Sequence, residues 1–239
     1  MRGMCILVRA ALLDMLEPVD RAALMAGGRK RDFSPGEFLI SEGDKRRVVL
    51  LLLAGWVKAV GNSVDGREIL LSFRSSGDVV GELAALDNDQ RSASVIAVTK
   101  VTAIPITQAH FLSVMSASPA AALALSRSIA AKMRLITHHR IEVGGAPARQ
   151  RVARVLLYLV DSYATLLPEG WRIEVPLTRD EFAALVGAST PSVFRELRYL
   201  RDRRAVVTSR RWYFVTDLEL LRKIAQGEDP GESDEKDPT

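Results

Sequence analysis

Two groups of residues in this sequence have the types and spacing that could do chemistry. The first lies in GELAALDNDQRSAS, residues 81–94, where Gly81 and Glu82 precede Arg91 and Ser92 across a run of acidic and turn-forming residues. Arg91 and Ser92 can give a charge and a hydroxyl to one phosphate, with backbone N–H groups near Gly81 and Ala93 as further donors. Glu82 repels a phosphate but accepts hydrogen bonds from sugar hydroxyls, so the set suits a sugar phosphate better than a bare one. An internal Glu82–Arg91 salt bridge that ties down the loop uses the same residues equally well. The pattern GxxxxGK[ST] is absent, so this is no ATP-binding loop.

The second group is arginine. From Arg195 to Arg211 seven arginines stand against two acids, Glu196 and Asp202, a concentration that attracts a phosphate backbone. The stretch PLTRDEFAALVGASTPSVFRELRYLRDRRAV around them parses closely. Thr178 with Glu181 forms a capping box for a helix running to Val186. Gly187 ends that helix, Ser189 caps the next, and Pro191 falls in its first turn, where a missing N–H is harmless. Ala183 is small at the crossing, and Phe182, Leu185, Val186, Val193 and Leu197 are apolar for packing. The spacing predicts a helix-turn-helix, followed by a two-stranded hairpin with Arg210 and Arg211 near its tip.

On the second of these helices Thr190, Ser192 and Arg195 stand nearest a groove floor. Arg195 has the geometry to give two hydrogen bonds to a guanine edge, worth about 1–3 kcal/mol of discrimination. Thr190 and Ser192 reach a base or a phosphate, and the helix start at Ser189 offers N–H groups to a phosphate. Arg179, Arg210 and Arg211 can touch the DNA backbone on either side and so position the protein, or else stand as solvated surface residues. One such unit reads few base pairs, whereas two related by a two-fold axis read a palindrome with half-sites about 34 Å apart.

The elements that must hold these groups follow from periodicity. Between Asp32 and Ile106, short β-rich runs (FLI, VVLLLLAG, WVKAV, EILLSF, DVV, SVIAV, VTAIPI) alternate with glycine turns. That spacing leaves no room for crossover helices and predicts a compact antiparallel β-roll. From Ser118–Pro119 to Val143 there is no further glycine or proline. The stripe Ala122, Ser126, Ile129, Met133, Ile136, Arg140, Val143 reads as the seam of a partner helix, or else as the cover of its own β-domain. Gly144–Gly145 breaks this helix and marks a hinge. A further helix runs from Pro147 to about Leu166, with Val152, Val155, Leu156, Leu159 and Tyr163 on its apolar face, and the strand WRIEV follows.

Composition bounds the rest. A chain of 239 residues, 48% hydrophobic with scattered charge, is long enough for one or two cored globular domains. The most apolar run, VVLLLLAGWV, is half the length of a membrane-spanning helix, and the N-terminus lacks a signal-peptide core, so a cytoplasmic location without membrane contact is expected. One cysteine, Cys5, excludes internal disulfides and multi-cysteine metal sites, and His138–His139 point about 100° apart on a helix, so no metal is expected. Neither Cys5 nor the Glu82–Arg91 set forms a nucleophile and base, which argues against an enzyme. Residues 228–239, EDPGESDEKDPT, carry six acids and one lysine and read as a disordered acidic tail.

In combination, the glycines at 36, 43, 55, 66 and 77, the GEL…RSA segment, the long helix and the helix-turn-helix resemble the cyclic-AMP receptor protein and fumarate-nitrate regulator (CRP/FNR) superfamily of bacterial transcription regulators. The resemblance runs from about Leu16 to Leu221. It implies an α+β fold with an N-terminal cyclic-nucleotide-binding-like β-roll (jelly roll), a long dimerisation helix and a C-terminal winged helix-turn-helix. The boundaries expected are 1–118 for the effector domain, 119–145 for the dimerisation helix and hinge, 146–225 for the DNA-binding domain and 226–239 for the tail.

It further implies that Glu82 meets a ribose hydroxyl and that Arg91 and Ser92 meet the cyclic phosphate, with Gly81, Leu83 and Ala93 shaping the cassette. Ile136 and Thr137 stand where relatives place polar residues against adenine; Thr137 keeps a hydroxyl and Ile136 does not. Cyclic AMP or another cyclic nucleotide is the implied effector, a homodimer on palindromic double-stranded DNA the implied assembly, and RNA polymerase a further partner. The alternative within the same fold is a β-roll that is structural or senses something else. Thr190–Pro191 replaces the receptor's Arg-Glu pair, so a different operator is expected, and one cysteine cannot build the cluster of the oxygen-sensing branch.

Overall fold

The computed structural model describes residues 11–62, 68–143, 145–209 and 212–228, and for residues 135–143 the backbone path alone. Cys5, Gly66, Gly144, the side chains of His138 and His139 and the acidic tail from residue 229 lie outside the described residues. Among the described residues two compact units emerge, one ending at Ile136 and the other beginning at Thr137.

The first unit starts with helices α1 (Leu12–Met15) and α2 (Pro18–Met25), which the sequence reading did not anticipate. Eight strands follow: β1 (Arg31–Phe33), β2 (Phe38–Ile40), β3 (Val48–Ala54), β4 (Trp56–Asn62), β5 (Glu68–Ser75), β6 (Val79–Val80), β7 (Ser94–Ala97) and β8 (Val101–Thr107). Between β6 and β7 lies the short helix α3 (Glu82–Asp87); after β8 come α4 (Gln108–Ala117) and the long α5 (Pro119–Val143). The strands form two antiparallel four-stranded sheets, in the orders β1-β8-β3-β6 and β2-β7-β4-β5, as the predicted roll requires.

The run VVLLLLA shows why the roll closes. Val49 and Leu51 point into a core shared with α1, α2, α4 and α5, while Leu50 and Leu52 point between the two sheets. A strand buried on both faces has no polar alternation, hence the unbroken apolar run. Ala121, Ala124 and Leu125 of α5 belong to the helix-side core. The predicted stripe lies on a neighbouring face, with Ser126 exposed and Met133 64% exposed. So α5 covers its own roll with one face, as the second reading of this helix has it, and leaves another face exposed.

The second unit contains α6 (Ala148–Tyr163), β9 (Ala164–Leu167), β10 (Gly170–Ile173), α7 (Arg179–Val186), α8 (Thr190–Asp202), β11 (Val206–Thr208), β12 (Tyr213–Val215) and α9 (Leu218–Gln226). Helix α6 stops at Tyr163, not Leu166 as predicted, because Ala164–Leu167 pair with Gly170–Ile173 as a hairpin. The four strands make one antiparallel sheet in the order β11-β12-β10-β9. Helix α9, also unanticipated, carries plain end signals: the Asp217 side chain accepts from Leu220 N–H at 2.9 Å and Gly227 closes the other end with φ +87°. No single helix among the described residues is long and apolar enough to cross a membrane.

Candidate functional site

The cassette is built around Arg91, which is 6% exposed. Its Nη1 donates to the Gly81 carbonyl at 2.5 Å, and its Nη2 donates to the carbonyls of Arg46, at 2.7 Å, and Val48. Three of five guanidinium hydrogens are thereby used, leaving Nε–H and the second Nη1 hydrogen. Gly81 is obligatory here on two counts. Its φ of +82° is left-handed, and a Cβ would meet Arg91 Nη1 at 2.6 Å and Ile40 Cδ1 at 2.9 Å. Burial pulls Arg91 below the usual arginine range; Asp44 and Glu82 oppose this and Arg46 adds to it.

Glu82, 7% exposed, opens α3. The expected Glu82–Arg91 salt bridge is corrected: Glu82 Oε1 accepts instead from Lys132 Nζ of α5 at 2.9 Å. Lys132 also donates to the Val79 carbonyl at 3.2 Å. Arg91 finds its acceptors in backbone carbonyls because the α3 turn places Gly81 O, rather than the Glu82 carboxylate, against Nη1. Lys132 was missed because a single lysine on a long helix carries no signal of what lies fifty residues earlier in the chain.

Gly81, Glu82, Leu83, Arg91, Ser92 and Ala93 all line one hollow of about 260 Å3, floored by residues of β4, β5 and β7. Ser92 is exposed, so its hydroxyl faces solvent access, and Leu71 and Leu83 are half-exposed apolar groups lining the same space. The Glu82 Oε2 atom remains as an acceptor. A carboxylate oxygen, a hydroxyl and guanidinium donors thus converge on a partly apolar hollow, the arrangement that holds a small ligand bearing a sugar and an anion. The side chain of Thr137 lies outside the described residues.

The helix-turn-helix has the predicted caps. Thr178 accepts from Glu181 N–H while Glu181 accepts from Thr178 N–H, Gly187 takes φ +66°, and the Ser189 side chain accepts from Ser192 N–H. Helix α8 presents Arg195, whose side chain is 73% exposed. Arg195 Nε donates to Glu196 Oε1 at 3.0 Å and Nη2 to Ser192 Oγ at 3.4 Å. The other oxygen of buried Glu196 accepts from Arg149 Nε at 2.9 Å, and Arg149 stacks over Tyr199 at 3.7 Å. Burial of the carboxylate beside α6 brings it to Arg149.

Thr190 Oγ1 donates to Asp180 Oδ1 at 3.0 Å, linking the two helices. Arg179 lies over the Phe194 ring at 4.5 Å and, with Arg201, Thr208 and Ser209, lines a hollow of about 210 Å3 beside the hairpin. The structure therefore gathers Arg179, Ser189, Thr190, Ser192 and Arg195 on the two helices. Arg210 and Arg211 lie outside the described residues.

A β-roll of the cyclic nucleotide-binding domain type and a winged helix-turn-helix in one chain define a DNA-binding transcription regulator. Residues 30–118 match the cyclic nucleotide-binding domain family and residues 150–224 the Crp-like helix-turn-helix domain. The chain belongs to the CRP/FNR superfamily. It is 28% identical over 221 residues, 92% of its length and 99% of the relative's, to the CRP-like cAMP-activated global transcriptional regulator of Mycobacterium tuberculosis (strain H37Rv). It is 28% identical over 170 residues to the cAMP-activated global transcriptional regulator CRP of Escherichia coli O157:H7, covering 70% of this chain and 80% of that one. A solved CRP-family transcriptional regulator from Thermus thermophilus superposes with a TM-score of 0.66 at 25% identity, over 82% of this chain and 96% of that one. These relatives are transcription regulators, not enzymes.

Proposed function

We propose that the cassette hollow takes a cyclic nucleotide, with cyclic AMP the first candidate, and that its occupancy governs how a homodimer reads palindromic DNA. The observation that carries this reading is the convergence of Glu82, Arg91, Ser92 and Ala93 on one hollow of about 260 Å3. Glu82 Oε2 accepts a ribose hydroxyl, and Ser92 with the spare hydrogens of Arg91 holds the cyclic phosphate. Thr137 joins this set through the family resemblance alone. The names of the Mycobacterium tuberculosis and Escherichia coli relatives, both cAMP-activated, support the choice of nucleotide.

The open face of α5 around Met133 supplies the seam between two chains. On the DNA, Arg195 reads a base, Thr190 and Ser192 a base or phosphate, and Ser189 with Arg179, Arg210 and Arg211 fixes the backbone.

Isothermal calorimetry with cyclic AMP and cyclic GMP tests the ligand. Saturable heat with one of them is expected, lost in Arg91→Ala and weakened in Ser92→Ala. The second variant matters because Ser92 is exposed, so its substitution leaves the carbonyl network of Arg91 intact. No heat and no thermal shift with either nucleotide would instead favour a structural cassette.

A further inference from the structure

A second hollow lies behind the cassette and is closed by the same arginine. The turn between β2 and β3 carries Lys45, Arg46 and Arg47, all exposed. With Asn88, Asp89 and Arg91 they line a space of about 320 Å3, larger than the cassette hollow of about 260 Å3. Four of these side chains are cations and one is an acid. Arg46 has a counter-charge in Asp44, Nε to Oδ2 at 2.5 Å. Among the described residues Lys45 and Arg47 form no ion pair. Asp89 uses one carboxylate oxygen on its neighbour's backbone, accepting from Gln90 N–H at 2.7 Å.

The cations sit on fixed backbone. Arg91 Nη2 holds the carbonyl of Arg46, Gly43 N–H donates to Arg91 O at 2.9 Å, and Gln108 N–H donates to Arg47 O at 2.9 Å. The Gln108 side chain in turn donates to Ala85 O at 2.9 Å, joining the turn to α3. Four cations in a concavity, opposed by Asp89 and by the Asp44 that pairs with Arg46, leave an excess of about two positive charges, which suits a small, multiply charged phosphate anion. The concave shape favours a small anion over a duplex backbone, which is read on open grooves and ridges.

We propose that this hollow is a site for a small polyphosphate anion, held by Lys45, Arg46 and Arg47 with the Asn88 amide at its edge, and that Arg91 is a wall common to it and the cassette. Inorganic pyrophosphate and a nucleoside polyphosphate share the chemistry that these groups recognise. The site stands independently of any nucleotide in the cassette, since Ser92 lines only the front hollow and Lys45 and Arg47 only the rear one.

The experiment is calorimetry on the full chain at matched ionic strength, with sodium pyrophosphate in one arm and ATP in the other. Saturable pyrophosphate binding is expected, weakened at least about tenfold in Lys45→Gln/Arg47→Gln through loss of two charge-assisted contacts, and unchanged in Ser92→Ala. The single Lys45→Gln variant shows a smaller loss in the same direction. ATP binding more tightly than pyrophosphate assigns the site to a nucleoside polyphosphate, and weaker ATP binding assigns it to the free anion. Pyrophosphate heat no greater than that of matched chloride overturns the proposal. So does binding that disappears in Ser92→Ala but survives in the double variant, which would place the anion in the cassette.

Discussion

Arg195 meets its own chain before it meets anything else, through Glu196 and Ser192. Releasing it to a guanine edge leaves Glu196 still compensated, because the other carboxylate oxygen keeps Arg149. The cost of a buried unpaired carboxylate is thus avoided when the arginine swings away. Arg195→Ala should lower discrimination at one base pair of each half-site by about 1–3 kcal/mol and leave the fold intact. Competition binding against single-base-pair variants of the operator measures this; uniform weakening on all sequences would make Arg195 a backbone contact. The arginine's exposure and position after the Ser189 cap were legible in the sequence. Its alliance with Arg149 was not, since partners on separate helices meet only after packing.

Among the elements, the wing is coupled to the reading helices by one aromatic pair: Tyr213 of β12 stacks on Phe182 of α7 with centroids 4.7 Å apart and planes 20° from parallel. Burial raises the Tyr213 pKa from 10.0 to about 12, with Arg179 opposing it. A raised acid pKa means that the folded chain favours the neutral phenol, so this stability is fully present below pH 10.0 and is lost as the pH climbs toward about 12. Tyr213→Phe should flatten the stability profile across that window, measured by denaturant unfolding followed at Trp fluorescence; an unchanged slope would give the loss to other groups.

The caps at Thr178, Gly187 and Ser189 were readable because each is a local arrangement between a side chain or glycine and the next few backbone groups. The strand VVLLLLA was readable as buried for the same local reason. Helices α1 and α2 escaped prediction because one is four residues long and the other eight, with α2 mixing Asp20 and Arg21 into a short run. In α4, Ala109, His110 and Ser113 interrupt the apolar pattern that packing later completes with Phe111, Val114 and Met115.

At the scale of the whole molecule, one face of α5 is covered and another is not. Leu123 is 51% exposed and Met133 64% exposed, on a helix whose Ala121, Ala124 and Leu125 are sealed in the roll. Under the proposed function, a second chain is the occupant of this face. Met133→Glu should therefore shift sedimentation from dimer toward monomer and reduce affinity for a palindromic operator more than for one half-site. A dimer of undiminished stability would move the seam elsewhere on the surface. The stripe was visible as periodicity, but that the roll takes Ala121, Ala124 and Leu125, with only Ile129 of the stripe at the edge of that core, depends on tertiary packing.

Lys132 and Met133 are adjacent, and the first faces the Glu82 carboxylate while the second faces open solvent. A ligand hydroxyl that displaced the ammonium from Oε1 would leave a positive charge with 14% side-chain exposure and a lone carbonyl, Val79 O, as its remaining contact. The flexible Lys132 side chain would carry that charge back to water, so a sugar hydroxyl held by the unused Oε2 leaves this tie between α3 and α5 in place.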